Sequence, residues 1–99
     1  MTRISAATRC KLNLAPFGIL LAAETEGHYL FTRENCIALV DRKAGSIGST
    51  GMMTDDGLAY LVWREGQAFL KSKAAEIPAS DEQIDAVRRF SQDLAAALR

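Results

Sequence analysis

An α+β fold, built as an antiparallel sheet of five or six short strands with one C-terminal helix packed on one face, is predicted by three observations. Between residues 9 and 75, short apolar or alternating runs recur between turn residues, the pattern of hairpin-connected strands. Residues 81–98 carry apolar side chains at helical spacing behind a capping signature. Ninety-nine residues, 48% hydrophobic and 24% charged, suffice for a single domain with one core.

Residues 1–8 are small and polar and are expected to fray. Residues 9–14 set Cys10, Leu12 and Leu14 against Arg9, Lys11 and Asn13, the period of a strand with one buried face. Pro16 and Gly18 break that run, and residues 18–24 read as a strand buried on both faces. A turn over 24–27 leads into His28, Tyr29, Leu30 and Phe31, so the first hairpin spans about 18–33. The apolar run 36–40 fits a strand or one side of a short helix starting near Thr32. The β-branched Ile37 and Val40 and the shortness of the run favour a strand.

Residues 44–57 read as a long glycine-rich loop. From Gly45 to Gly57 there are four glycines, four hydroxyl side chains and the adjacent acids Asp55 and Asp56. The strongest strand signal follows at 58–64, with Leu58, Tyr60 and Val62 on one face and Ala59, Leu61 and Trp63 on the other, both expected to be covered. Glu65 and Gly66 supply a turn, and 67–73 returns as a strand ending in two lysines. Glu26-Gly27 and Glu65-Gly66 each precede an apolar strand, a similarity that turn chemistry explains without duplication. Pro78 stops the strand region. Ser80 is placed as an N-cap, Gln83 completes a capping box, and Asp81 and Glu82 favour the positive end of the helix dipole. Ile84, Val87, Phe90, Leu94 and Leu98 form the apolar stripe of a helix over 81–98.

Twelve acidic residues balance twelve basic ones, which removes the overall field that draws a protein to nucleic acid or an anionic membrane. The longest apolar run, 17–23, is far short of a membrane span, and the first fifteen residues show neither the apolar segment nor the cleavage site expected of a signal peptide. Cys10 and Cys36 lie in apolar surroundings suited to reduced, buried thiols. These features describe a cytoplasmic protein. Its excess of Arg over Lys, eight to four, resembles GC-rich bacterial usage.

No catalytic constellation, metal site or cofactor motif emerges. His28 is the only imidazole, the group best suited to acid–base work near neutral pH, yet no spacing ties it to Cys36. Asp55 and Asp56 with Glu24 or Glu26 fall short of a calcium pattern. Two function classes remain. The first is a non-catalytic interaction module, an adaptor, regulator or inhibitor, binding another protein or itself as a homodimer through Met52, Met53, Tyr60 and Trp63. The alternative is a small-molecule or anion-binding domain, or a small enzyme. In it Gly45, Ser46, Gly48, Ser49, Thr50 and Gly51 would wrap an anionic ligand, although no Walker or dinucleotide fingerprint accompanies them.

Overall fold

The computed structural model describes residues 14–98. A 3-10 turn, Ala15–Phe17, leads into β1 (Leu20–Glu24), β2 (His28–Arg33), β3 (Cys36–Asp41), β4 (Ile47–Thr54), β5 (Gly57–Arg64), β6 (Gln67–Lys71), β7 (Glu76–Pro78) and helix α1 (Asp81–Ala97). The strands form one antiparallel meander in chain order. The predicted class holds, but the sheet has seven strands rather than five or six. The strand expected over 9–14 lies outside the described residues except for its last member. That residue, Leu14, has helical angles of φ −76° and ψ −32° and is buried in the core.

The meander is closely turned. Only two residues separate the paired ends Arg33↔Cys36, Thr54↔Gly57 and Arg64↔Gln67. In the last of these, Glu65 at φ 50° and Gly66 at φ 80° both occupy the left-handed region, which matches the twist of the flanking strands. Residues 36–40 are strand, as their β-branched content favours. The segment expected as a loop over 44–57 is mostly β4, an inner strand between β3 and β5. Pairing overrides the weak strand preference of Gly, Ser and Thr there, because both neighbours offer ladders to it. A second correction concerns β1, expected to be buried on both faces. It is the exposed edge of the sheet, with Leu20 68% exposed. The other edge, β7, is short and carries Pro78, as an edge tolerates.

Alternation along the strands divides the sheet into two faces. Tyr29, Phe31, Cys36, Ala38 and Val40 face the helix, which meets them with Val87, Phe90, Leu94 and Ala97. Ile47, Met52 and Leu61 pack against this cluster. Of the stripe read from the sequence, Val87, Phe90 and Leu94 are buried and Leu98 is partly buried, Ile84 is only half-covered, and Ala97 joins the core from outside the stripe. Arg33 ties the layers together: Nη1 donates to the Phe17 carbonyl at 3.1 Å and to Asp93 Oδ2 at 2.7 Å, and the guanidinium lies 5.5 Å from the Phe90 ring centre.

The helix begins as expected. The Gln83 N–H donates to Ser80 Oγ at 3.1 Å and the Ser80 N–H donates to Gln83 Oε1 at 2.9 Å. Ser80→Ala removes one half of this box, so chemical denaturation should show a loss of about 1 kcal/mol with the m-value unchanged.

Candidate functional site

The face of the sheet turned away from α1 is the part of the fold without a described layer over it. Cross-strand register places Leu20, Thr32, Ile37, Gly51, Tyr60 and Lys71 in one row across it. Parity adds Leu30 from β2, Leu39 from β3, Met53 from β4, Leu58 and Val62 from β5, and Phe69 from β6. This face is therefore strongly apolar for one over which the described residues place no second layer, although Ile37 at its centre is itself buried.

A cleft of about 800 Å³ opens on this face. Its floor is Leu58, Tyr60 and Val62 of β5. Ser49 of β4 stands on one side, Lys71, Ser72 and Lys73 on the other, and Asp56 and Gly57 close the hairpin end. Its position follows from the strand pairing. The β4–β5 ladder runs only from Gly51↔Tyr60 to Thr54↔Gly57, so Ile47, Ser49 and Thr50 pair with β3 alone and Leu61 to Arg64 with β6 alone. Ser49 and Val62 thus border the cleft from strands no longer paired to each other. At the last paired position, Gly51 brings no side chain, which allows β4 to approach β5 closely.

The residues expected to contact a partner divide between the two faces. Met53, 48% exposed, and the half-buried Tyr60 lie on the outer face, whereas Met52 packs against the core beneath the helix. Trp63, 56% exposed, shares the helix-bearing face, toward the β5–β7 side. Consecutive methionines on a strand point to opposite sides, so the pair read as one loop patch is one core residue and one surface residue.

The residues expected to wrap an anion are likewise dispersed. Gly45 and Ser46 belong to the β3–β4 turn, and Gly48, Ser49, Thr50 and Gly51 belong to β4. In the turn, the Lys43 and Ala44 N–H groups donate to Asp41 Oδ1 at 2.9 and 2.8 Å, and the Gly45 N–H donates to the Asp41 carbonyl at 2.8 Å. The two bonds to Oδ1, that from Ala44 foremost, hold the Asp41 carboxyl below its ordinary pKa. Asp41 thus engages the amides of Lys43, Ala44 and Gly45, and of the residues expected to wrap an anion only Gly45 is among them. Of the six residues, Ser49 alone lines the cleft.

His28 and Cys36 sit at opposite ends of the β2–β3 hairpin, His28 opposite Asp41 and Cys36 opposite Arg33. Five residues of strand separate their levels by roughly 17 Å, and they face opposite sides. Cys36 is a buried free thiol whose pKa is pushed up by burial, despite the opposing pull of Arg33. That is the reverse of an activated nucleophile. Cys10 lies outside the described residues. Among the described residues, no group of three His, Cys, Asp or Glu side chains is arranged to hold a metal ion, so Asp55 and Asp56 are not joined by Glu24 or Glu26. No described helix is long and apolar enough to cross a membrane.

Leu58, Val62, Lys71 and Lys73 enter the site without having been singled out from the sequence. The alternation of 58–62 was the available signal, since it already put Leu58, Tyr60 and Val62 on one face. No protein-family model matches this chain, and no curated protein or solved structure matches it.

Proposed function

We propose that this protein is a non-catalytic interaction module that binds a partner protein, a second copy of itself included, across the outer face of the sheet. The observation that carries this reading is the apolar character of that face. Leu20 and Met53 project at its exposed positions, and the cleft floored by Leu58, Tyr60 and Val62 lies beside Met53. An apolar sheet face without a second layer is the surface expected to be buried on association.

Met53→Asp tests the reading without touching the core, which a change at Met52 would disturb. The variant should melt as the wild type does, while its association weakens about tenfold or more. Light scattering over a range of concentrations measures self-association, and capture from cell extract measures association with other proteins. A dimer dissociated by Met53→Asp assigns the face to self-association. Association of either kind that is indifferent to Met53→Asp removes this face from the argument.

A further inference from the structure

We infer that the cleft over β4, β5 and β6 receives an acidic, apolar-rich segment of a partner protein. This deepens the reading of the outer face as a protein-contact surface and rests on it. The inference combines an apolar floor with two cations that the fold leaves unused. Leu58, Tyr60 and Val62 line the floor, and Lys71 and Lys73 stand along the β6 side.

Neither lysine forms an ion pair among the described residues. The acid directly across the ladder from Lys71 is Glu76, and Glu76 is ion-paired with Arg64 instead. Arg64 is itself held over the Phe69 ring, 5.9 Å from its centre. Lys73 sits in a turn fixed by Ser72, whose Oγ accepts the N–H groups of Ala74 and Ala75 at 3.3 and 3.1 Å. The cations thereby stand on one side of the apolar floor while the acid that faces Lys71 across the ladder is engaged elsewhere. The single carboxylate in the lining, Asp56, lies in the β4–β5 hairpin, at the end of the sheet toward which β6 runs with Lys71 and Lys73, so the lining carries two cations against one acid.

Charge complementarity then sets the chemistry of the occupant. Carboxylates would meet Lys71 and Lys73, while apolar side chains would cover Leu58, Tyr60 and Val62. Two lysines against one acid are too few for a phosphate backbone. The volume of about 800 Å³ is toward the upper end of small-ligand pockets. Its opening on a sheet face, continuous with exposed Met53 through the Met53↔Leu58 pair, suits a chain segment better than an enclosed small molecule.

The test is selection of random displayed peptides on the immobilised full chain. Enriched peptides are expected to combine Asp or Glu with Leu, Ile, Phe or Trp. The paired change Lys71→Glu with Lys73→Glu should weaken the strongest of them about tenfold or more, and added salt should weaken it in the wild type. Both lysines are exposed, so the variant should melt normally. Lys71→Gln with Lys73→Gln serves as the milder version, with a smaller loss. Charge reversal of the peptide should restore binding to the Glu variant.

Absence of enrichment, enrichment of peptides without acids, or acidic peptides indifferent to both lysine variants would overturn the inference. Dodecanoate is the small-amphiphile control. If it shifts the amide resonances of the cleft where no peptide is enriched, the occupant is a small molecule and the inference fails. Peptides sensitive to Met53→Asp but not to the lysine changes would overturn this inference while the outer-face reading stands. Indifference to all three changes would remove both.

Discussion

Phe90→Ala is expected to destabilise the protein by about 4 kcal/mol, a large share of the stability of an ordinarily marginal domain. Phe90 is fully buried and is the largest side chain that the helix contributes to the core, where Tyr29, Phe31, Ala38 and Val40 lie on the facing sheet. Truncation removes the transfer energy of the ring and leaves a cavity that a sheet of seven paired strands cannot collapse into. It also takes away the ring beneath the Arg33 guanidinium, so that the links from Arg33 to Phe17 and Asp93 lose their apolar support. Thermal melting by circular dichroism should show a fall of roughly 15 to 30 °C. Phe90→Leu, which keeps most of the volume, should cost less than about 1.5 kcal/mol. A loss below about 1 kcal/mol for the alanine variant would mean that the helix does not hold the sheet as described.

The contrast between this position and the site shows what the sequence could convey. Helix α1 was legible because each of its signals is local: Ser80 and Gln83 lie three residues apart, and the stripe recurs at the helical period whatever it packs against. The β1–β2 and β5–β6 hairpins were legible for the same reason, since apolar runs and turn residues lie side by side in the chain. Strand β4 was not. Glycine, serine and threonine between 45 and 51 carry weak intrinsic preference, and their state is decided by ladders to β3 and β5, which no local pattern announces. The local signal was Asp55-Asp56-Gly57, which reads as a turn in the sequence and closes a tight hairpin between β4 and β5 in the fold. Once β4 is a strand, Met52 and Met53 separate onto opposite faces by geometry alone. The cleft was still less legible. It depends on where the β4–β5 ladder stops and on Arg64, rather than Lys71, holding Glu76. Both are outcomes of tertiary competition among groups far apart in the chain.

Gly51→Ala is expected to lower stability by about 3 kcal/mol, and it separates the strand from the loop reading of this segment. A Cβ at position 51 would stand 2.7 Å from the Tyr60 Cα and 2.8 Å from the Ala59 carbonyl carbon, and closer still to the Ala59 carbonyl oxygen. All three are backbone atoms of β5, so no side-chain rotation can relieve the clash. The strand must move, and the pairs Gly51↔Tyr60 and Met52↔Ala59 move with it. Because Met52 packs against the core, the disturbance would reach the helix-bearing face as well as the cleft. Gly48→Ala is the matched control. Its new Cβ would lie 3.6 Å from the Leu39 carbonyl oxygen, an ordinary contact, so its stability should change by less than about 1 kcal/mol and could rise through loss of unfolded-state freedom. Urea denaturation of the two variants beside the wild type reads the difference directly. If both glycines accept alanine equally well, β4 does not press against β5 at Gly51, and the cleft loses its structural basis. If Gly51→Ala alone is costly, the glycine serves strand packing, and any ligand contact in this segment belongs to Ser49 and its neighbours across the cleft.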